Sequence, residues 1–409
     1  MKQYDSYKDS GVEWIGEVPS HWEILRGKYM LDILSGFPFD SKKFEYDDNY
    51  MPLIRIRDIN SSSTEVYYSG VYPKESVVKK GEVLIGMDGD FNVSRWNGPE
   101  ALLNQRVCKL SESSKMNTCF AFYMLSLPLK LINDVTYATT VKHLSVYDIY
   151  NTFLPVPTIA EQEGIANYLE QKCGEIDKVI STQQKRIEYL QELKQSVITH
   201  AVTKGLSEDV EMKESGVSWI GSTPSHWKRC RFKDFIKQET SASTSERKIG
   251  LENIESKTGR YIETSTEYEG NGVQFEEGYI LYGKLRPYLQ KVWIAEFSGN
   301  AVGDFFVYSM KDNADSQFVQ YLMLSDGFTK ETDGSTFGAK MPRVASDFIL
   351  TMRYYLPPKE EQLAIVSYLN EKCSIYDPLI AKAQKEIDIL EEYKQSVITE
   401  AVTGKIKVC

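Results

Sequence analysis

The sequence predicts an α+β protein in which two mixed α/β domains are separated by two long antiparallel helices in a pseudo-two-fold arrangement. Two internal repeats carry this prediction. Residues 9–22, DSGVEWIGEVPSHW, match residues 214–227, ESGVSWIGSTPSHW, at ten of fourteen positions. Residues 161–203 match residues 361–403 at 23 of 43 positions without a gap. The stretches between the copies have little similarity, so the chain is a duplicated frame that carries two different inserts.

The repeats divide the 409-residue chain into four segments. The first insert, with the short repeat before it, occupies 1–153, and the second occupies 206–355. A helical spacer follows each insert, at 154–205 and at 356–409. A chain of this length has enough sequence for two to four domains with real cores. Two copies of a repeat are too few for a solenoid.

Each long repeat is predicted to be one helix. Pro155 and Pro157 lie just upstream of the first copy, and Glu161 and Glu163 suit the positive end of a helix dipole. Mostly apolar residues recur at alternating steps of four and three, which is typical of a seam between two helices. These positions are Ile176, Ile180, Gln183, Ile187, Leu190, Lys194, Val197 and Ala201 in the first copy, and Tyr376, Ile380, Ala383, Ile387, Leu390, Lys394, Val397 and Ala401 in the second. A helix of about 40 residues is roughly 60 Å long, so the two copies are expected to pack antiparallel on each other.

Two features of these helices stay open at the level of the sequence. Pro378 in the second copy is compatible with a kink or with the start of a new segment. The polar seam residues Gln183, Lys194 and Lys394 either fix the register of the helix pair or lie at its solvated flank.

The segment KQSVIT occurs at 194–199 and again at 394–399. Packing in a core does not require identical Lys, Gln and Ser side chains, which are usually exposed. A partner surface present on each repeat would require them. The predicted partner-binding residues are Lys194, Gln195, Ser196, Lys394, Gln395 and Ser396.

The short repeat is predicted to be an aromatic anchor beside the helix ends. It supplies Trp14 and Trp22 in the first copy and Trp219 and Trp227 in the second. Its histidines, His21 and His226, are assigned a structural role, because no acid or nucleophile recurs beside them.

Both inserts are predicted to be rich in strands and to share one architecture. In the first insert the apolar patterns indicate strands within 50–59, 79–91 and 101–110 and a helix within 120–132; in the second, strands within 246–254, 278–289 and 300–310 and a helix within 318–328. Each insert then closes with a polar, threonine-bearing loop, at 136–149 and at 333–348.

The charge of the chain argues at first against nucleic acid, since the net charge is −10 and phosphate binding needs clustered cations. The distribution of charge weakens that objection. Residues 21–153 contain 15 basic and 16 acidic side chains, and residues 226–355 contain 17 and 18. Each insert is therefore near neutral, and one face of it can be basic.

Several polar side chains of the inserts suit the reading of DNA bases, because Arg and Lys donate to guanine and Asn and Gln pair with adenine. A solvated surface role is the alternative for each of them, and the clusters RIRDIN and GKLRPYLQK are stronger candidates than single residues. The candidates are Lys42, Lys43, Arg55, Arg57, Asn60, Asn92, Arg95, Gln105, Arg106, Lys142 and His143 in the first insert, and Arg247, Lys248, Asn253, Lys284, Arg286, Tyr288, Lys291, Lys340 and Arg343 in the second.

Other classes of function have little support in the sequence. There is no apolar run of about 18 residues for a membrane span and no secretory signal, so a cytoplasmic protein is expected. The six cysteines form no CxxC pair, and Cys173 and Cys373 are expected to be packing thiols. Neither a nucleotide-binding loop nor an amino-methylation motif is present. The segment DGDFN at 88–92 is a turn rather than a calcium loop, so no metal site and no catalytic residue is predicted.

These motifs together resemble the specificity subunits of type I restriction–modification systems. The resemblance rests on the two short repeats, on the junctions LPVPTIAEQEGIANYL and LPPKEEQLAIVSYL, on the endings KQSVITHAVTKG and KQSVITEAVTGK, and on LLNQRVCKL and LYGKLRPYLQKVWIAEF inside the inserts. It covers essentially the whole chain, and several separate motifs agree in order and spacing.

The resemblance implies a non-catalytic subunit that recognises double-stranded DNA. Each insert would be a target-recognition domain that reads one half of a bipartite site, and the helices would dock two modification subunits. Those subunits would bind S-adenosylmethionine, and restriction subunits with ATP and Mg would join the full complex. Two alternatives remain: a coiled-coil scaffold without DNA binding, and a methyltransferase in its own right.

Overall fold

A computed structural model of the chain describes residues 2–111, 113–135, 142–207, 209–243, 247–338 and 340–408. The chain forms two compact units. Unit 1 contains Met1–Thr182 with Glu386–Cys409, and unit 2 contains Gln183–Lys385. Each unit therefore combines one insert with part of both long helices. The four segments named from the sequence follow the covalent order of the chain, whereas these units follow its packing.

The described helices include two that are far longer than the rest. They are α1 Thr118–Val135, α2 Val146–Asn151, α3 Ile159–Lys204, α4 Ser316–Leu324, α5 Asp326–Gly334, α6 Ser346–Thr351 and α7 Lys359–Val402. Helices α3 and α7 have 46 and 44 residues and coincide with the long repeats, as predicted. Pro378 lies inside α7 without ending it.

Unit 1 contains a four-stranded sheet in the order β10-β9-β12-β4, a five-stranded sheet in the order β5-β7-β6-β11-β8, and the pairs β1–β2 and β3–β13. The strands are β1 Tyr7–Asp9, β2 Glu17–Pro19, β3 Glu23–Arg26, β4 Asp32–Ser35, β5 Phe44–Glu45, β6 Met51–Ile54, β7 Tyr67–Tyr68, β8 Val77–Val78, β9 Val83–Gly86, β10 Val93–Arg95, β11 Ala101–Leu103, β12 Val107–Ser111 and β13 Phe153–Val156.

Unit 2 repeats this plan, with sheets in the orders β17-β24-β21-β22 and β18-β20-β23-β19 and the pairs β14–β15 and β16–β25. The strands are β14 Met212–Glu214, β15 Ser222–Pro224, β16 Lys228–Arg231, β17 Ile236–Glu239, β18 Ala242–Ser243, β19 Lys248–Ile249, β20 Gly272–Phe275, β21 Ile280–Gly283, β22 Val292–Ile294, β23 Gly299–Ala301, β24 Phe305–Met310 and β25 Arg353–Leu356. The shared architecture of the inserts is thereby confirmed.

Two strand predictions in the first insert were wrong in their extent, and 300–310 in the second insert likewise divides between β23 and β24. The strand predicted within 50–59 ends at Ile54, and a 3-10 turn follows. The segment 101–110 is two strands, β11 and β12, separated by a tight turn at 104–106. β11 pairs in parallel with β6, with Leu103 opposite Ile54. The segments that follow the two strands therefore leave the sheet at the same edge. Part of the predicted loop 136–149 lies outside the described residues.

The long helices pack antiparallel within each unit, as predicted. In unit 1 the start of α3 shares a core with the end of α7, for example Leu169 with Ala401. In unit 2 the roles are exchanged, and Val202 near the end of α3 shares a core with Leu369 near the start of α7. All sixteen predicted seam positions are buried or half-buried.

Two of the polar seam residues form ion pairs across the helix pair. Lys194 Nζ lies 2.7 Å from Asp377 Oδ1, and Lys394 Nζ lies 2.6 Å from Asp177 Oδ1. Both residues of each pair belong to the repeat, so the two interactions are copies of one another. Of the two readings left open by the sequence, register is favoured for Lys194 and Lys394.

The short repeat is anchored to the first turn of a long helix in each unit. Trp22 Nε1 donates to Glu161 Oε1 at 3.3 Å, and Trp227 Nε1 donates to Glu361 Oε1 at 3.0 Å. His21 approaches the same carboxylate, with its Nε2 2.8 Å from Glu161 Oε1. Both tryptophans are buried, which confirms the predicted aromatic anchor.

Of the helices in the described ranges, none is both long enough and apolar enough to cross a membrane.

Candidate nucleic-acid interface

Four segments of the first insert meet at the edge where the parallel strands β6 and β11 end. We call residues 55–58, 87–92, 104–106 and 142–144 the first loop cluster. Backbone hydrogen bonds join the last three: Met87 N donates to Arg106 O (3.0 Å), Leu144 N to Met87 O (2.7 Å) and Gly89 N to Lys142 O (3.1 Å). The cluster is therefore built by the backbone and does not depend on the identity of its exposed side chains.

The second insert builds the same arrangement where the parallel strands β19 and β23 end. We call residues 250–253, 284–291, 302–304 and 342–344 the second loop cluster. The corresponding hydrogen bonds run from Lys284 N to Asp304 O (2.9 Å), from Val344 N to Lys284 O (3.1 Å) and from Arg286 N to Pro342 O (2.8 Å). Each bond has its counterpart in the first cluster, while the side chains differ.

The match extends to the details of the backbone. Phe91 and Gln290, each two residues before a strand, adopt left-handed φ angles of 51° and 50°. Gly86 is the last residue of β9, and a Cβ atom added to it would lie 2.7 Å from Ile56 Cδ1. Gly283 is the last residue of β21, and a Cβ atom added to it would lie 2.9 Å from Leu251 Cδ2. A Cβ atom at either position would displace that side chain, so the turn after β6 or β19 packs closely on the neighbouring strand.

Both clusters are positive although the chain is acidic. The first contains four permanent cations, Arg55, Arg57, Arg106 and Lys142, against the three carboxylates Asp58, Asp88 and Asp90. The second contains Lys284, Arg286, Lys291 and Arg343 against Glu252 and Asp304. A local excess of cations is the electrostatic requirement for an anionic polymer.

One carboxylate in each cluster pairs with two cationic or titratable side chains. Asp88 lies 2.7 Å from His143 Nδ1 and 3.5 Å from Arg106 Nε. In the second cluster Asp304 lies 3.2 Å from a terminal guanidinium nitrogen of Arg343 and 3.7 Å from Lys284 Nζ. Asp88 follows β9, whereas Asp304 lies between β23 and β24. The two inserts therefore place a carboxylate between two cationic or titratable side chains from different parts of their sequences.

Most of the predicted DNA-binding residues lie within these clusters. In the first they are Arg55, Arg57, Asn92, Gln105, Arg106, Lys142 and His143, and in the second Asn253, Lys284, Arg286, Tyr288, Lys291 and Arg343. The most exposed among them are Arg57, Asn92, Gln105, Arg106, His143, Arg286, Tyr288 and Arg343.

Some members of the clusters have internal contacts. Asn253 is buried, and its side chain accepts from Gly250 N at 2.9 Å and donates to Ile262 O at 3.1 Å. Asp58 has the corresponding position in the first insert, where it accepts from Arg55 N at 3.0 Å. Both residues close a 3-10 turn, so the side chain of Asn253 stabilises the fold and does not face outward.

Two lysines are also engaged inside the clusters. Lys142 Nζ donates to Asn133 O at 2.5 Å. Lys291 Nζ donates to Leu251 O at 2.6 Å, and burial, which outweighs the nearby Glu252, lowers the pKa of Lys291.

Seven predicted residues lie outside the clusters: Lys42, Lys43, Asn60, Arg95, Arg247, Lys248 and Lys340. Arg95 packs over Phe122, 4.7 Å from the ring centroid, and forms an ion pair with Glu170 of α3. Arg247 lies 3.2 Å from the centroid of Phe297. Lys42, Lys43, Asn60 and Lys340 are exposed, and Lys248 is half-buried on β19.

The predicted partner-binding residues differ in their exposure. Lys194 and Lys394 form the ion pairs described above, which gives a structural reason for a lysine at both sites. Gln195 is half-buried and donates to Gln290 Oε1 at 3.3 Å. Ser196, Gln395 and Ser396 are exposed. Each copy of KQSVIT therefore has an exposed surface. Only three of the six predicted residues, Ser196, Gln395 and Ser396, are exposed there.

Sequence reasoning missed the two carboxylates Asp88 and Asp304. The segment DGDFN, which contains Asp88, indicated only a turn, and a turn is what the structure contains. No group of three or more potential metal ligands occurs among the residues that the structure covers. The sequence around Asp88 gives no indication of this role, because its partners Arg106 and His143 are 18 and 55 positions away in the chain.

Comparison with known proteins shows which family the sequence and the architecture resemble. Residues 19–191 match the family model described as the type I restriction modification DNA specificity domain. The chain is 35% identical to the type I restriction enzyme EcoBI specificity subunit of Escherichia coli over 202 residues, which are 49% of this chain and only 43% of that subunit. It is 24% identical to the MjaVIII specificity subunit of Methanocaldococcus jannaschii over 96% of this chain and 94% of that one.

A solved structure supports the fold over nearly the whole length. A chain from a study of complex assembly and conformational transition in a type I R-M system aligns with a TM-score of 0.64 at 14% identity, covering 95% of this chain and 99% of that chain. The curated relatives are named for specificity, which confirms the predicted class and weighs against a methyltransferase. The duplicated frame, its two inserts and these relatives agree, and the chain is similar to the specificity subunits of type I restriction–modification systems.

Proposed function

We propose that this chain is a non-catalytic DNA-recognition subunit, and that each loop cluster reads one half of a bipartite site in double-stranded DNA. One observation carries the proposal: two inserts of different sequence build the same backbone cluster and fill it with different polar side chains. A conserved frame with variable donors and acceptors is what two readers of different half-sites need, since base identity is read by hydrogen-bond pattern.

The side chains proposed to face DNA are those exposed in the clusters. Gln105, Arg106 and Asn92 in the first insert can contact base edges or phosphates, and so can Arg286 and Arg343 in the second. Arg and Gln suit guanine and adenine respectively in the major groove. The positive balance of each cluster supplies the phosphate contacts that orient a protein on the duplex.

Exchange of one insert tests the proposal. Residues 228–353 are replaced by the matching insert of a related subunit, and methylated adenines are mapped in cells that carry either version. One half of the methylated site should change while the other half stays the same. A change in both halves, or no change, contradicts two independent readers.

The partners proposed for the chain follow from its similarity to specificity subunits. Two modification subunits would dock on the helix surfaces that include Ser196 and Ser396, and restriction subunits would join the full complex. S-adenosylmethionine would be bound by the modification subunits, and ATP and Mg by the restriction subunits. The repetition of KQSVIT in both units supports two equivalent docking surfaces.

Mass measurement tests the number of modification subunits. Saturating amounts of the modification subunit should give two copies per chain, and Ser196→Arg or Ser396→Arg should each reduce that number to one. A single copy at saturation for the unaltered chain contradicts two docking surfaces. Ser114→Arg, at an exposed position outside the repeats, serves as the control.

A scaffold without DNA binding is the second candidate, and the net charge of −10 is the observation that favours it. Binding of duplex DNA by the chain together with its modification subunit separates the two. The scaffold predicts no increase in DNA affinity over the modification subunit alone.

A further inference from the structure

The antiparallel ribbon of β16 and β25 in unit 2 carries a dense group of cations. Lys228, Arg229 and Arg231 lie on β16, Lys233 follows in the next turn, and Arg353 begins β25. All five side chains are exposed. We call these five residues the basic ribbon. None of them belongs to the loop clusters or to the residues predicted from the sequence to bind DNA.

Three of these cations lie on one face of the ribbon. Tyr354 is fully buried, and its neighbour across the ribbon, Cys230, is half-buried. Successive side chains on a strand point to opposite faces, so Arg229, Arg231 and Arg353 share the face opposite to Tyr354, where the buried Tyr355 pairs with Arg229. The pairing register places Arg231 directly opposite Arg353.

The charges of the basic ribbon are largely uncompensated. Within the ranges that the structure describes, its one ion pair joins Arg231 Nε to Asp234 Oδ2 at 3.6 Å. Lys311 adds a further cation, because its Nζ donates to Lys233 O at 2.7 Å. Like charges placed directly opposite each other destabilise a strand pair, so Arg231 and Arg353 reduce the stability of the folded chain.

The corresponding ribbon in unit 1 shows that the fold does not require all of these cations, because unit 1 keeps only Arg26 and Lys28, at the positions of Arg231 and Lys233. β3 and β13 carry Glu23, Ile24, Arg26 and Phe153 at the equivalent positions. Arg26 lies opposite Phe153, with its guanidinium 5.2 Å from the ring centroid. Such a cation–π contact is favourable. Unit 2 therefore has opposed arginines where unit 1 has an attractive pair.

We propose that the basic ribbon is an additional DNA-contacting surface, which binds the sugar–phosphate backbone of the duplex without reading its sequence. The proposal rests on the DNA-recognition function proposed above. Guanidinium groups bind phosphate with two parallel hydrogen bonds, and a polyanion removes the repulsion that the free ribbon retains. Backbone contacts fix the position and orientation of a protein on DNA, so the ribbon orients the second insert over its half-site.

The test uses the full chain assembled with its modification subunits. Affinity is measured as a function of salt for two duplexes, one that contains the recognised site and one that lacks it. The triple variant Arg229→Ala, Arg231→Ala, Arg353→Ala removes three proposed phosphate contacts. The slope of log affinity against log salt should fall by about 2 to 3, because each contact contributes about 0.9. Affinity for both duplexes should fall by the same factor, about tenfold or more at physiological salt.

A matched variant controls for net charge. Lys74→Ala, Lys79→Ala, Lys80→Ala removes three exposed lysines of the first insert and should leave the slope unchanged. Denaturation controls for folding: the triple arginine variant should be at least as stable as the unaltered chain, because opposed like charges have been removed.

Three outcomes overturn the assignment. An unchanged salt slope means that the ribbon does not contact DNA. A loss confined to the duplex that contains the site means that it reads bases. A loss of modification subunits from the complex, with DNA affinity intact, means that it docks an acidic protein surface. If the unaltered complex binds neither duplex, the DNA-recognition function fails as well, so the two failures are distinguishable.

Discussion

Gln162 and Gln362 show how a single repeated residue joins an insert to a long helix. Both are buried in the first turn of α3 or α7. Gln162 accepts from Asn117 N at 2.8 Å and donates to Pro157 O at 3.0 Å. Gln362 accepts from Asp315 N and donates to Pro357 O, each at 2.9 Å. The partner backbone amides belong to the residues that precede helices α1 and α4, so each glutamine fixes an insert helix against the frame.

We expect Gln162→Ala to lower the free energy of unfolding of unit 1 by about 2–4 kcal/mol, because it leaves buried backbone groups without partners. Gln362→Ala should do the same in unit 2. Urea denaturation followed by tryptophan fluorescence measures both. Gln184→Ala, on the exposed side of α3, should change stability by less than about 0.5 kcal/mol; equal effects of all three substitutions would refute this role.

Glu161 makes the stability of unit 1 dependent on pH. Partial burial raises its pKa, but hydrogen bonds with His21, Thr158 and Trp22 outweigh it, so the pKa of Glu161 is lower than its ordinary value of 4.5. A carboxylate with a lowered pKa contributes stability that is complete above its ordinary pKa and lost as pH falls through the folded value. Unfolding midpoints between pH 7 and pH 3 should therefore fall less steeply for Glu161→Gln than for the unaltered chain.

Asp88 is expected to restrain the cations of the first loop cluster. Asp88→Asn frees Arg106 and His143 for phosphate, so affinity for DNA without the site should rise about two- to fivefold, the range of one exposed ion pair. The ratio of specific to non-specific affinity should fall. Asp90→Asn removes the same charge from an exposed position in the same loop and should change neither; a loss of specific binding alone would mean that Asp88 reads a base.

Helices α3 and α7 show where sequence patterns are reliable. The four-and-three spacing predicted the seam because every turn of a long helix repeats the same burial requirement. The sequence of 101–110 predicts one strand because its turn, Asn104 to Arg106, contains no glycine or proline. Strand boundaries set by neighbours, such as the parallel pairing with β6, leave no local pattern.

The repeated ion pair between the helices should be energetically coupled. Lys194 and Asp377 are only 12% and 23% exposed, so Lys194→Glu should destabilise unit 2 and weaken the pairing of α3 with α7. The double variant Lys194→Glu, Asp377→Lys should recover only part of the loss, because Asp377 also pairs with Arg260 at 3.0 Å. A double-mutant cycle is expected to give a coupling of about 1–2 kcal/mol, and a coupling near zero would mean that the pair does not set register.

At the scale of the molecule, the sequence predicted the order of the frame and inserts but not the way in which packing divides them. The repeats mark equivalent stretches of sequence. Each of α3 and α7 is continuous, so the sequence gives no sign that either helix is shared between two units. Packing assigns the first part of α3 to unit 1 and the rest to unit 2. The reason is that an antiparallel partner buries each half of a helix against a different insert, and this depends on contacts between residues about 200 positions apart.

The two ends of unit 1 meet where unit 2 has continuous chain. Lys407 N donates to Lys2 O at 2.9 Å, and Tyr7 Oη approaches Lys405 O at 3.5 Å. In unit 2 the equivalent passage, from α3 to β14, is made by the covalent segment after Lys204. The duplicated frame is in this sense cyclic, because a backbone contact in unit 1 takes the place of the covalent segment in unit 2.

A circular permutant follows from that closure. Joining Val408 to Lys2 through a short Gly/Ser linker and opening the chain between Ser207 and Asp209 should preserve both units, with a change in unfolding free energy of about 1 kcal/mol or less, since loop closure costs little for short connections. The permutant should also methylate the same sites with its modification subunits. Opening the chain inside α1 instead should abolish folding of unit 1. If the permutant opened after Ser207 also fails to fold, the covalent segment after Lys204 contributes stability that the contact between Lys2 and Lys407 does not supply. The two units would then not be equivalent in how the frame is connected.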